Sequence, residues 1–363
     1  MTGSMFGLPS DRGGKDLGVF LPVANGGWIL SGTAPKLDGS YEYNRRVALL
    51  AEESGLDFIM SMAKWRGYGG VTEHWRYSLD SQMLMAALAA QTSRVKVWTT
   101  VHTLLQNPAV TAKMIATLDH VSGGRAGLNV VTGSYKGEFE QMRAWRDAVD
   151  HDQRYDLAEE WISIVKRLWS EDSVSVQGRY FTMEDCQSDP KPVNRPFLIC
   201  AGTSERGMRF TATQMDAIFA SGRDDKELRR ISIGAKTLAR DAGHTLRTYT
   251  MLTLVIGESD AAARAQEEHI RTGFDAEACL GMMRAYGFLD SELGRENAFV
   301  ESARSAFMTP RVVGSPETVV ARLIELIEGC ELDGLMLVFP DYLASMPVFA
   351  AEIMPKLRTR FPG

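Results

Sequence analysis

Asn107-Pro-Ala-Val-Thr-Ala-Lys-Met-Ile-Ala-Thr-Leu-Asp-His-Val-Ser-Gly-Gly-Arg-Ala-Gly-Leu-Asn-Val-Val131 reads as one helix, one turn and one strand. Asn107 followed by Pro108 is an N-cap with proline at the first helical position, where its missing N–H costs nothing. The helix should run to about Val121 and stop at Ser122-Gly123-Gly124, because glycine adopts the left-handed C-terminal conformation. The run 126–131 is short and apolar, as in a strand buried on both faces. Further strands are expected at 17–22, 56–60, 95–101, 197–201, 216–220, 249–256 and 334–339. Helical spacing separates most of them. In the 43–54 stretch Val47, Leu50 and Ala51 share a face ahead of Gly55, and the 155–169 stretch is apolar along Leu157, Trp161, Ile164, Val165 and Leu168. Only the last strand lacks a visible helix after it. Alternating strands and helices imply a parallel sheet. Eight such units point to an α/β fold of the (β/α)8 TIM-barrel type. An open doubly wound sheet would show GxGxxG after the first strand. Asn25-Gly26-Gly27-Trp28 lacks that spacing.

Residues 1–15 are polar and Gly-rich, without the apolar core of a signal peptide, and read as a flexible extension. Residues 16–363 then form a single barrel domain. Two stretches exceed what a plain barrel needs, 132–152 and 260–312, and both should be insertions at the C-terminal face. The second carries helical patterns at 261–272 and 275–286 and a polar segment at 291–297. The 363 residues are 45% apolar and 24% charged, with a net charge of −6. The chain has no basic block, so neither nucleic acid nor an anionic membrane is expected as a partner. It also has no run of about 18 apolar residues, so no membrane span is expected. Cys186, Cys200, Cys279 and Cys330 have no CxxC spacing and read as reduced thiols of a cytoplasmic protein.

Nucleophile elbows, HExxH and Walker loops are absent, and the six histidines form no spaced metal cluster, so no metal site is expected. Polar residues inside strands stand out instead: Thr99, Thr100 and Asn129. A buried amide needs a partner, which is either a neighbouring strand or a ligand at the barrel mouth. Ala201-Gly-Thr-Ser204 precedes a helix. It is either an anion site built on free N–H groups or an ordinary serine N-cap. Scarce acid–base machinery suits chemistry that belongs to a cofactor.

Val19-Phe-Leu-Pro-Val-Ala-Asn-Gly-Gly-Trp-Ile-Leu30, Arg66-Gly-Tyr-Gly-Gly-Val-Thr-Glu73, Ser122-Gly-Gly-Arg-Ala-Gly-Leu-Asn-Val-Val-Thr-Gly133, Phe181-Thr-Met-Glu-Asp-Cys186 and Ile199-Cys-Ala-Gly202 carry a specific resemblance. The chain resembles the bacterial luciferase-like flavin-dependent monooxygenases, and within them the pyrimidine-monooxygenase subgroup of uracil degradation. The resemblance implies a two-component enzyme. It would use reduced FMN from a separate NAD(P)H:flavin reductase, with O2 as cosubstrate, to oxygenate or cleave a small N-heterocyclic or amide substrate through a flavin (hydro)peroxide. It further implies that Ala63, Lys64, Asn129, Glu138, Arg154, Tyr155 and Ser204 hold FMN. Thr100 and Asn129 would face flavin and substrate, and Met60 and Leu128 would line an O2 pocket. His102, Tyr135 and Trp28 are the substrate candidates, and a homo-oligomer is expected. His151-Asp-Gln-Arg-Tyr155 resembles sulfone and sulfonate monooxygenases, whose reaction is the alternative. A flavin-binding barrel without turnover is the alternative of another class. Three features depart from the subgroup where substrate should bind: Ser134-Tyr135, His102 in place of a small residue, and a short 221–226 loop.

Overall fold

The computed structural model describes residues 14–133, 135–287 and 304–363. The expected extension lies outside the described residues through position 13, as do Ser134 and the polar segment 291–297. Eight parallel strands close into a barrel: β1 (Asp16–Phe20), β2 (Phe58–Met60), β3 (Lys96–His102), β4 (Ala126–Val131), β7 (Phe197–Cys200), β8 (Ala217–Phe219), β9 (Arg247–Ile256) and β11 (Gly334–Val338). Closure runs from β8 to β9, β9 to β11 and β11 to β1. The TIM-barrel expectation is met, with strand ends shifted by a residue or two.

The opening helix–turn–strand stretch folds as read. Helix α3 (Pro108–Ser122) is capped by the Asn107 side chain on Ala109 N and ends at Gly123 in the left-handed region. Its neighbours α1 (Tyr41–Glu53) and α2 (Ser81–Ala89) start at Ser40 and Asp80, whose side chains accept from Tyr43 N and Met83 N.

Three strands escape the sequence reading. β5 (Val174–Gln177) and β6 (Thr182–Cys186) form an antiparallel hairpin outside the barrel. Their side chains are mostly polar, and the turn is held by Glu160, whose carboxylate accepts from Arg179, Tyr180 and Phe181 N–H. β10 (Arg311–Gly314) is only four residues long and pairs with the end of β9, beyond the part of β9 that pairs with β11. The last strand does have helices after it, at Tyr342–Val348 and Met354–Arg360, joined by a π-turn at Phe349–Ile353. Pro347 and Pro355 interrupt the pattern that would have revealed them.

The lower half of the barrel is filled by aromatic rings. An eight-stranded barrel has an interior just wide enough for side chains to fill. Phe58, Trp98, Phe197 and Tyr249 are all buried there. Phe58 stacks on Trp98 at 3.9 Å between centroids, Trp98 stacks on Phe197 at 5.2 Å, and Tyr249 meets both Phe58 and Trp98 edge-on at 5.9 Å. Three of the rings claim the space of a glycine on the neighbouring strand. Gly18 pairs with Phe58, Gly127 with Trp98, and Gly334 with Tyr249. A Cβ on these glycines would come within 2.4, 2.3 and 2.4 Å of the facing ring. The Tyr249 hydroxyl donates to Asp16 Oδ2 at 2.6 Å, which also pairs with Arg247 at 3.0 Å. The plug is therefore anchored at its base.

Gly127→Ala should push the Trp98 indole off its stack and destabilise the fold by about 1–3 kcal/mol, the cost of overpacking a full core. Chemical denaturation checks this, and an unchanged midpoint would show that the plug has slack.

Candidate active site

Above the plug, at the C-terminal ends of the strands, lies a cavity of about 360 Å³. This is where barrel enzymes place their chemistry. Eight of the residues named from the sequence line it: Trp28, Met60, Ala63, Lys64, Thr100, His102, Asn129 and Glu138. Strand alternation explains the grouping, since Thr100 and His102 are two apart on β3 and pair with Asn129 and Val131 on β4. Five thioethers, from Met60, Met62, Met251, Met308 and Met336, make much of the apolar wall. Phe20 and Trp28, 4.5 Å apart, and Trp75, edge-on to Trp28 at 5.0 Å, complete it.

Leu128 is a correction. The alternation that turns Asn129 inward turns Leu128 outward, where it is fully buried in a cluster with Val101, Tyr155 and Trp161. It packs the barrel against helix α5 (His151–Leu168) and does not line the cavity.

Asn129 is held by a chain of hydrogen bonds. Its Nδ2 donates to Thr100 Oγ1 at 3.1 Å, and that hydroxyl donates to the Ser61 carbonyl at 2.6 Å. Because Thr100 spends its proton on Ser61, it can only accept from Asn129, and this sets the amide orientation. Asn129 Oδ1 is left buried without a partner among the described residues. Thr100 N in turn donates to Ser81 Oγ at 2.8 Å. Ser61 and Ser81, which the sequence reading missed, thus brace the strand end from β2 and α2.

The two long insertions deliver the rest. The first contains α4 (Lys136–Glu140), which carries Glu138. Glu138 Oε2 accepts from Lys64 Nζ at 3.1 Å, with the two side chains only 3% and 5% exposed. Its Oε1 takes the Trp65 N–H. The Lys64 ammonium also lies 4.7 Å from the centre of the Tyr135 ring and 4.8 Å from that of Tyr68. A carboxylate and ring faces thereby replace the water this cation lost on burial. Tyr135 itself packs beside the cavity rather than in its lining. The second insertion contains α8 (Asp260–Thr272) and α9 (Ala276–Ala285), with Tyr286 capping α9. Tyr286 lines the cavity, and the Tyr68 hydroxyl donates to its hydroxyl at 2.6 Å. Tyr68, Trp75 and Tyr286 are site aromatics that the sequence offered no spacing rule to find.

Arg154, Tyr155 and Ser204 form a second group at the rim. Helix α5 begins four residues earlier than expected. Asp150 and Gln153 form its capping box, and Arg154 N is already bonded to the Asp150 carbonyl. Arg154 therefore offers its side chain rather than a free helix-end N–H. The guanidinium lies 5.1 Å from the Trp145 ring centre, and its Nε is buried without a partner among the described residues. Ser204 is the N-cap of α6 (Glu205–Gln214), accepting from Gly207 N at 3.1 Å. The side chains of Thr132 and Ser204 hydrogen-bond the Tyr155 phenol, whose pKa burial raises. A Cβ at Gly202 or Gly207 would fall 2.6 or 2.7 Å from that phenol oxygen. Ala201 and Thr203, flanking Gly202, line the cavity and join this rim to it. Among the described residues no cluster of metal-ligating side chains occurs, and no helix is long and apolar enough to cross a membrane.

A family model described as luciferase-like monooxygenase matches residues 16–330. The chain belongs to the luciferase-like monooxygenase family. Pyrimidine monooxygenase RutA of Methylorubrum extorquens is 39% identical to it over 356 residues, covering 95% of this chain and 93% of that protein. The same-named protein of Variovorax paradoxus is 36% identical over 353 residues, covering 95% of each. Among solved structures, a riboflavin lyase with modified FMN and riboflavin superposes with a TM-score of 0.86 at 23% identity, covering 96% of this chain and 92% of that one. A long-chain alkane monooxygenase gives 0.83 at 20% identity, covering 97% and 92%. These two share the fold. In this luciferase-like monooxygenase, strand β4 brings Asn129 to the cavity wall.

His74, fully buried beside the cavity, packs near-parallel to both Tyr68 and Trp75, and its Nε2 is 3.2 Å from Met308 Sδ. Burial pulls its pKa down to about 3, against a weaker opposing pull from Asp275. The folded state thus holds the neutral ring, while the unfolded chain protonates near 6.5. Stability from this group is complete above pH 6.5 and is lost as pH falls from there toward 3. His74→Gln should therefore flatten the loss of stability between pH 6.5 and 4.5 by up to about 1.4 kcal/mol per pH unit, one proton's worth. Denaturation midpoints across that range check the sign, and parallel curves for both proteins would refute it.

Proposed function

We propose that this monooxygenase is a cytoplasmic, two-component enzyme that uses reduced FMN and O2 to oxygenate a small ring amide or similar N-heterocycle. The observation that carries the reading is the arrangement of orphaned polar atoms. Asn129 Oδ1 in the cavity and Arg154 Nε at the rim are buried without partners among the described residues, and a flavin mononucleotide has complementary groups at both ends. Buried polar atoms left unpaired are costly unless a ligand meets them. The residues fit the group. Arg154, Tyr155 and Ser204 would cradle its phosphate, with Gly202 and Gly207 leaving room that a side chain would fill. Ala63, Lys64, Asn129 and Glu138 would hold the ring system. Reduced FMN supplies the electrons and the oxygen-transfer chemistry.

The chain's own contribution is binding, orientation and exclusion of water. The Thr100–Ser61 relay keeps the Asn129 amide in one orientation at the cavity wall. The Lys64–Glu138 pair adds fixed, mutually compensated charge without drawing in solvent. The thioether and aromatic wall dries the site, which strengthens each remaining electrostatic contact. Met60 remains on that wall as a neighbour for O2. The similarity to pyrimidine monooxygenases supports the ring-amide class, and the sequence shows no dinucleotide fingerprint, so electrons would come from a separate NAD(P)H:flavin reductase. Oxygenation of an alkyl sulfone or sulfonate is the competing outcome of a substrate panel.

Two measurements test this. Arg154→Ala should weaken FMN binding to the apo-protein by about 1.5–3 kcal/mol, as for a lost hydrogen bond to a charged group. An unchanged dissociation constant would remove Arg154 from the site. Purified protein with FMN should not turn over with NADH or NADPH alone, and should do so once a flavin reductase is added, with one labelled atom of O2 in the product. Rapid NADPH oxidation without the reductase would overturn the two-component assignment.

A further inference from the structure

We propose that His102 determines substrate specificity by accepting, through Nδ1, a hydrogen bond from a ring N–H of the substrate, so that the cavity selects amides that donate over molecules that only accept. His102 ends β3 on the cavity face, two residues from Thr100, and is 7% exposed. Its Nε2 lies 3.2 Å from the Ala63 carbonyl oxygen. A carbonyl only accepts, so Nε2 carries the proton. A neutral imidazole has one N–H, so Nδ1 is a bare lone pair. The Phe139 ring packs edge-on at 5.1 Å and holds the imidazole plane. Nδ1 is buried with no partner among the described residues.

The ring stays neutral because burial disfavours its charged form and Lys64 adds to that effect, against opposing pulls from Glu138 and the Ala63 carbonyl. Asn129 Oδ1, the other unpaired acceptor on this wall, is taken by the flavin under the proposed function, two register positions away on the same strand face, which leaves His102 Nδ1 for the substrate. The Thr100 hydroxyl, two residues back on the same strand face, is committed to Ser61. A sulfone or sulfonate would bring oxygen lone pairs against the His102 Nδ1 lone pair. A ring amide brings an N–H. A site built to bond a substrate N–H discriminates strongly against an analogue lacking it, because its own acceptor is then left unpaired.

This inference rests on the cavity being the substrate site of an FMN enzyme, so binding and turnover are read separately. The probes are uracil, 1,3-dimethyluracil and dimethyl sulfone. Binding to the FMN-loaded protein is followed by the change in flavin absorbance, and turnover is followed with a supplied reductase. Wild type should bind uracil at least about tenfold more tightly than either donor-free probe, the worth of one hydrogen bond. His102→Leu should abolish the preference, His102→Asn should restore part of it by returning an acceptor, and FMN affinity should stay at the wild-type value in both. Comparing ratios between wild type and variant cancels the bulk of the added methyls. Equal binding of the probes by wild type, binding of none, or a preference that survives in His102→Leu would overturn the proposal. Loss of FMN affinity with the preference intact would assign Nδ1 to the flavin instead. Selective uracil binding without turnover of any ring amide would leave the role of His102 standing and overturn the proposed reaction.

Discussion

Close packing of Phe58, Trp98, Phe197 and Tyr249 across Gly18, Gly127 and Gly334 decides where anything else can happen in this barrel. Four rings and three absent side chains fill the lower interior. Whatever space remains must open at the C-terminal ends of the strands. The short strands β2 and β8, three residues each, end just above the plug. The chain that leaves β2 supplies Ser61, Met62, Ala63 and Lys64 in immediate succession, each bonded to the β3–β4 end of the barrel or lining the cavity. The site is therefore a continuation of the core packing, with polar groups substituted layer by layer.

Most of the barrel could be read from the sequence because its strands are continuous apolar runs and its helices carry strong caps. Asn107-Pro108 and Gly123 punctuate α3 in the structure as they do on paper. The strand-four reading held to the residue. What escaped was structure whose signal is not periodic. The β5–β6 hairpin is polar and its turn depends on a carboxylate 19 to 21 positions upstream, while β10 exists because β9 outruns its other neighbour. For the site, eight residues named from the resemblance line the cavity, and the alternation along β4 that turns Asn129 inward places Leu128 behind the wall. Tyr68, Trp75 and Tyr286 were not legible. They converge from the β2–α2 loop and an insertion that share no spacing, and only tertiary contact brings their rings around one ammonium.

The two insertions divide the work at the mouth. The first brings charge, with Glu138 meeting Lys64, and is tied to the loop after β2 by Gln141 Nε2 on the Trp65 carbonyl at 2.9 Å. The second brings bulk, with Tyr286 from α9 and then Met308 on the way to β10. Gly281 lets α9 press against the Tyr68 backbone, since a Cβ there would fall 2.0 Å from its carbonyl oxygen. The barrel supplies orientation through short strand-end hydrogen bonds, and the insertions supply the chemical environment. This separation lets one fold host substrates as different as those named for its structural neighbours.

The methionine wall has a chemical consequence for the enzyme's working life. Thioethers are flexible and polarisable, so Met60, Met62, Met251, Met308 and Met336 can mould themselves around occupants of differing outline. Under the proposed function the same sulfurs, which are nucleophiles, would line a chamber used for oxygen transfer. Each turnover that failed to reach its substrate would then expose them to an oxidant, and each sulfoxide formed would turn a dry, yielding surface into a polar, chiral one. Such damage accumulates on the walls of the site rather than at random over the surface. The lifetime of such an enzyme would be coupled to how faithfully its cavity is filled before oxygen is activated.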